Sequence, residues 1–188
     1  MARPKPFVPV KLVCGVIHGD PRRYEQARAR LADRFGKLDN ESPPFEFDLT
    51  GYYDAEMGGG LKRRFMSFAE LFEPQDLAEI KLLTNVLEDE IGRPEEGGGR
   101  AVNIDPGYLT ASALVMATAK DFSHRIPLRK GIYAHLELLF TRAGVKVLDW
   151  TYPDIRREPC LEFFMAVRRE LLRQLRAGTP GRSLSPGG

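Results

Sequence analysis

The chain has 188 residues, 43% of them hydrophobic and 29% charged. That length and composition suit one soluble globular domain with a substantial core. Lys plus Arg number 28 against 26 Asp plus Glu, a net charge of +2, which argues against a dedicated duplex-DNA binder with its basic excess.

MARPKPFVP is a proline-rich arm leading into Val10–Ile17, a nearly continuous apolar run that predicts a strand covered on both faces. HGDP stops it. Asp20 suits an N-cap and Pro21 the first helical position, and Tyr24, Ala27, Leu31 and Phe35 then recur at helical spacing until Gly36. LDNESPP reads as a loop. Phe45, Phe47 and Leu49 alternate with polar residues, predicting a half-buried strand. GYYDAEMGGGLKRRF is a connection, and Arg64–Leu71 a returning strand. Glu73, Pro74 and an acidic first turn open a second helix, with Leu77, Ile80, Leu83, Leu87 and Ile91 as its apolar stripe. GRPEEGGGR then makes a surface loop.

Arg100–Asp105 reads as a short strand and Asp105-Pro106-Gly107 as a turn. Tyr108–Ala119 is open between helix and strand, and its β-branched and small residues favour strand. Ile132–Phe140 alternates and turns at Thr141–Gly144 into Val145–Leu148, a hairpin. After WTYPD a third helix begins at Pro159, with Cys160, Phe164, Val167, Leu171 and Leu175 buried. Residues 1–176 thus form a single α+β domain, and the polar tail 177–188 is expected to be disordered. The element order fits a mainly antiparallel sheet with a split βαβ (ferredoxin-like) core, an added hairpin and a C-terminal helix.

Cys14 and Cys160 lie within apolar patterns and read as reduced core residues. With three histidines and neither CxxC nor HExxH, no metal site follows from spacing. The N-terminus lacks a signal-peptide core, and no apolar run reaches the ~20 residues that span a bilayer. A cytoplasmic location and no membrane partner are expected.

FDLTGYYDAEMGGGLKRRF, IKLLTNVLEDE, VNIDPGYLTASALVMATAKDFSHRIPLRKGIYAHLEL and WTYPDI together resemble the prokaryotic domain-of-unknown-function family numbered 4416, over roughly residues 8–176. The resemblance implies a single-domain protein. It carries over no catalytic residue.

Three groups of residues point to chemistry. Tyr52, Tyr53, Asp54 and Glu56 precede three glycines and Lys62-Arg63-Arg64. Glycines admit close approach of a ligand, and arginine recognises phosphate or carboxylate in two-pronged fashion. The Walker A spacing is absent, so P-loop chemistry is excluded, and the plain alternative is a mobile hairpin loop with solvated charges. Lys120-Asp121-Phe122-Ser123-His124-Arg125 forms the second group, in which Lys120 and Arg125 can meet an anion and His124 can act as acid/base; the alternative is a turn whose charges pair among themselves. Asn103 and Asp105 share one strand face, and with Glu56 or Asp54 could hold Mg²⁺, although Asp before Pro-Gly more often caps its own turn.

Tyr108 and Tyr133 flank these groups. His18 and His135 suit structural places, and WTYPD either covers a site or pins the last helix. The first and second groups are expected to line one cleft with Asp105. The expected function is a polar, partly basic site for an anionic, phosphate-bearing small molecule or nucleotide, serving a nucleotide- or phosphometabolite-processing enzyme. The alternative is a non-catalytic module for a nucleotide, RNA or protein, with nucleic acid the less favoured partner at this charge.

Overall fold

A computed structural model describes residues 3–48, 57, 59–92 and 100–184. Its centre is β1 (Val10–His18), all nine residues of which are buried. Period-2 alternation divides its side chains between two layers. Leu12, Cys14 and Val16 meet one apolar cluster, Val13 the opposite one.

Asp20 accepts a hydrogen bond from the Arg22 N–H and Pro21 opens α1 (Pro21–Phe35), with Tyr24, Ala27, Leu31 and Phe35 buried as the spacing predicts. β2 (Leu38–Glu41) and β3 (Phe45–Glu46) both pair with the long β4 (Lys62–Phe72). The first four residues of LDNESPP, which reads as a loop, form a strand instead. Their charges have dedicated partners: Asp39 accepts from Ser67 Oγ at 2.6 Å and pairs with buried Lys11, and Glu41 meets Tyr24 and Arg28.

A 3₁₀ turn (Pro74–Asp76) leads into α2 (Leu77–Ile91). β5 (Val102–Leu109), β6 (Ala113–Thr118), β7 (Ile126–Pro127), β8 (Tyr133–Thr141) and β9 (Gly144–Val147) follow, then α3 (Glu158–Arg176) and β10 (Gly181–Arg182). Among the described residues the sheet order is β10-β4-β1-β5-β6-β8-β7, with β9 on β8 and all pairs antiparallel except β10 on β4. β4 and β5 each run antiparallel to β1, so they run the same way on its two sides, and α2 links them. Helices α1 and α2 cover one face, through Tyr24, Leu31, Phe35, Ile80 and Ile91. α3 covers the other, where Phe164 lies 4.9 Å from the Phe65 ring. Cys14 and Cys160 are buried and unpaired, in opposite layers. The α+β class and the mainly antiparallel sheet are as expected.

Two further expectations fail. Asp105-Pro106-Gly107 is not a turn, because β5 runs straight through it to Leu109. Pro106 is tolerated because β6 pairs with β5 only from Gly107 onward, so among the described residues no strand pairs with the proline on that side. A Cβ on Gly107 would stand 2.5 Å from the Val115 carbonyl oxygen, so glycine is required by the closeness of β6. The tail also departs from expectation: Gly181 and Arg182 pair with Leu71 and Phe72, and the Leu184 N–H donates to Asp76 at 2.9 Å. Residues 185–188 and the glycine-rich 93–99 lie outside the described residues.

Candidate functional site

The site begins where β5 and β6 part. Pairing is confined to Gly107–Leu109 against Leu114–Met116, so among the described residues Val102–Pro106 have no strand partner on that side. Two side chains of α2 take the missing strand's place. Glu88 Oε1 accepts the Ile104 N–H at 2.7 Å, and Lys81 Nζ donates to the Ile104 carbonyl at 2.7 Å. Lys81, Thr84 and Glu88 are buried, whereas Leu83 and Leu87 of the expected stripe are only half-buried. Burial pushes the Glu88 carboxyl up, while Lys81, the Ile104 N–H and Arg100 oppose this.

Asp105 stands beside this cap. Its carboxylate accepts from Arg63 Nη2 at 3.1 Å and Asn103 Nδ2 at 2.9 Å, with Lys81 at 3.8 Å. Arg63 reaches across Gly15 of β1, where a Cβ would stand 2.9 Å from its guanidinium. Its Nη1 donates to Asp154 at 2.5 Å, and both side chains of that pair are 4% exposed. Asp154 comes from WTYPD, so that motif contributes to the site and leads into α3. Arg100 joins the edge by donating to Asn103 Oδ1 at 2.8 Å and lying 3.4 Å from Glu88.

These groups enclose a cavity of about 620 Å³. Ile17, Phe47, Met116, Ala117 and Ile155 supply its apolar wall, Lys120 and Ala119 lie at its exposed end, and His135 and Tyr152 close another side. Arg63, Lys81, Arg100 and Lys120 are matched by Glu88, Asp89, Asp105 and Asp154 along the lining. The cavity is therefore charge-balanced rather than basic.

A second, shallower cleft adjoins it and shares His135 and Tyr152. His124 Nε2 lies 3.2 Å from His135 Nε2, and the His124 ring stacks on Trp150 with centroids 5.1 Å apart. His135 Nδ1 is 3.2 Å from Glu137 Oε1. Burial lowers His135 to about 4, assisted by Arg125 and His124. Burial raises Glu137 to about 8, against the opposing Tyr152 N–H and Arg63. Both shifts disfavour the charged forms, so burial favours a neutral imidazole and a protonated carboxyl.

Of the residues singled out in the sequence, Arg63, Asn103, Asp105 and Lys120 line the cavity. His124 and Arg125 line the adjoining cleft. Arg125 donates to the Lys120 carbonyl at 2.7 Å and the Tyr152 hydroxyl at 2.8 Å, so its observed partners are neutral oxygens and not Asp105 or Asp121. Lys62-Arg63-Arg64 lies on a strand, and its side chains do not converge. Arg64 points to the α1 layer, over the Tyr24 ring and paired with Glu41, and Lys62 lies 3.8 Å from Glu46. Tyr108 packs under α2 with Leu77 and Ala117. Tyr52, Tyr53, Asp54 and Glu56 lie outside the described residues. Among the described residues no group of three or more His, Cys, Asp or Glu is placed to hold a metal ion, and Asp105 is engaged by Arg63, Asn103 and Lys81.

Sequence reasoning missed Lys81 and Glu88, placed Glu137 only on a sheet face beside His135, and weighed Asp154 only within WTYPD. The first two carried a signal: Lys81, Thr84 and Glu88 recur at i, i+3 and i+7, a polar ridge inside a leucine-rich helix.

The family model described as Domain of unknown function (DUF4416) matches residues 8–171. The chain belongs to that family. No curated protein and no solved structure matches it. As a DUF4416 member it has, among the described residues, no helix long and apolar enough to cross a membrane.

Proposed function

We propose that the cavity around Asp105 binds a small molecule with an anionic group, of the nucleotide or phosphorylated-metabolite class, as the site of a processing enzyme. One observation carries the reading: polar groups from β4, α2, β5 and the turn before α3 converge on a single cavity that keeps an apolar wall. Ligand sites of this size gather a few placed polar groups in an apolar concavity. Lys120 and Arg100 meet the anion at the edge, Asn103 and Asp105 take up hydroxyl or amine groups, and Phe47 with Met116 packs the ligand body. Since the lining is charge-balanced, the anion competes with resident carboxylates for these cations, and selectivity comes from geometry rather than from net field. We also read β4, α2 and β5, with β1 inserted between the two strands, as the split βαβ unit of a ferredoxin-like core.

A second reading has its own support. Phe122 and Trp150 are 61% and 40% exposed beside Arg125, a combination that suits stacked bases of a single strand in a non-catalytic module. A thermal-shift panel of nucleotides, phosphorylated sugars and short oligonucleotides, with and without Mg²⁺, separates the two. Stabilisation by a small phosphorylated compound supports the cavity; a response confined to oligonucleotides supports the module.

A further inference from the structure

Glu137, His135 and His124 lie in a row from the interior to the surface. Glu137 and His135 are 0% and 1% exposed. Glu137 Oε2 accepts the Tyr152 N–H at 3.0 Å. Its Oε1 and His135 Nδ1 have no aligned hydrogen-bond partner, yet stand 3.2 Å from each other. Leaving both without a proton between them costs the desolvation of two buried polar atoms. The terminal torsion of a glutamate is soft, so a modest turn of the carboxyl brings them into line. On the other side of the ring, the two Nε2 atoms are 3.2 Å apart, a contact that is favourable only with one proton between them, because two protons would repel and none would leave lone pairs facing. Trp150 fixes His124 by stacking, and its own indole N–H is tied to the Leu136 carbonyl at 2.7 Å.

The geometry points to a proton relay, in which Glu137, His135 and His124 act as one unit carrying protons between the buried Glu137 carboxyl and solvent, past the cavity wall at His135. In the resting state the Glu137 carboxylic acid donates to His135 Nδ1, and His135 Nε2–H donates to His124 Nε2. In the transferred state the Glu137 proton has moved to His135 Nδ1 and the Nε2 proton has moved to His124. Glu137 is then a carboxylate, His135 is again neutral with its tautomer reversed, and His124 is an imidazolium that releases a proton to water. No bond other than N–H and O–H changes.

The charged and titratable groups facing the row are Arg63 from β4, Asp154 and Tyr152 from the turn before α3, and Arg125 beside His124. Arg63 and Arg125 favour the carboxylate form of Glu137, while Asp154 opposes it. The low basicity of His135 and the raised Glu137 acid match the resting state. Resting on the cavity reading above, the relay places an acid–base group in exchange with solvent beside the bound molecule, since His135 forms part of the cavity wall.

The test needs no ligand. Ring-nitrogen NMR of the wild-type protein at neutral pH should find one of the two facing Nε2 atoms protonated and the other bare; both protonated or both bare overturns the relay. His124 should then be titrated in four proteins: wild type, Glu137→Gln, His135→Phe, and the double variant. Glu137→Gln should shift the His124 midpoint when His135 is present and leave it unmoved in the His135→Phe background. An equal shift in both backgrounds means through-space charge alone, and no shift in either means no coupling; both overturn the proposal. If the relay holds while the compound panel finds no ligand, only the cavity reading fails.

Discussion

The guanidinium of Arg63 lies over Gly15, the β1 residue that pairs directly with Asp105. The absent side chain is what lets Arg63 reach Asp105 and Asp154 together. Gly15→Ala places a methyl 2.6 Å from Phe65 Cε1 and 2.9 Å from Arg63 Nη2, so one of them must move. Overpacking of this kind costs about 1–3 kcal/mol, and a lower urea midpoint at unchanged slope is expected. A variant as stable as the wild type would show that Arg63 does not need this approach.

Arg63 itself holds two carboxylates. Arg63→Met leaves the buried Asp154 unpaired and should destabilise by roughly 3–5 kcal/mol. Arg63→Met combined with Asp154→Leu removes the stranded charge and should recover a large part of the loss. Equal losses in the single and double variants, measured by denaturation, would place the cost elsewhere.

How far the sequence reaches is clear from these residues. β1 and α1 were legible because their apolar spacing is local, and Tyr24, Ala27, Leu31 and Phe35 are the buried residues of α1. Arg63 and Arg64 are neighbours in the chain, yet a strand sends them to opposite layers, so a basic triplet read as one patch is divided. Asp105-Pro106-Gly107 has turn chemistry but sits in a strand whose outer edge is capped by α2 side chains. That cap joins residues 16 apart for Glu88 and 23 apart for Lys81; the polar ridge marks the helix face, but no local pattern names the strand it meets. β10 offers only two residues against β4 and no periodicity at all.

The cap can be measured at one amide. Glu88→Leu leaves the Ile104 N–H without its acceptor, at a cost of about 1–3 kcal/mol. Ile104 should exchange its amide hydrogen on the order of tenfold faster or more, while amides of β1 facing β4 change less. Unchanged protection at Ile104 would mean that another group satisfies it.

Glu137 gives the stability a pH dependence. Its folded value of about 8 exceeds the ordinary 4.5, so the folded state keeps a proton that the unfolded chain releases. Its contribution is whole below the ordinary carboxylate range and is lost as pH rises through about 8. His135 acts in the opposite sense: lowered to about 4, its contribution is whole above its ordinary value of 6.5 and is lost as pH falls toward 4. Glu137→Gln should abolish only the first effect. Between about pH 5 and 8 the wild type should lose up to about 1.4 kcal/mol per pH unit relative to the variant. Parallel stability curves would contradict a buried, protonated Glu137.

Blocking the cavity beside Asp105 tests whether a small phosphorylated molecule binds there. Ala119 is exposed and lines the open end, so Ala119→Trp should fill that end while changing ligand-free stability by no more than about 0.5 kcal/mol. A compound from the panel present at 100 times its dissociation constant stabilises the wild type by about 2.7 kcal/mol, which for a chain of this size raises Tm by about 5–10 °C. In Ala119→Trp this rise should disappear. The same rise in both proteins would put the ligand somewhere other than the cavity.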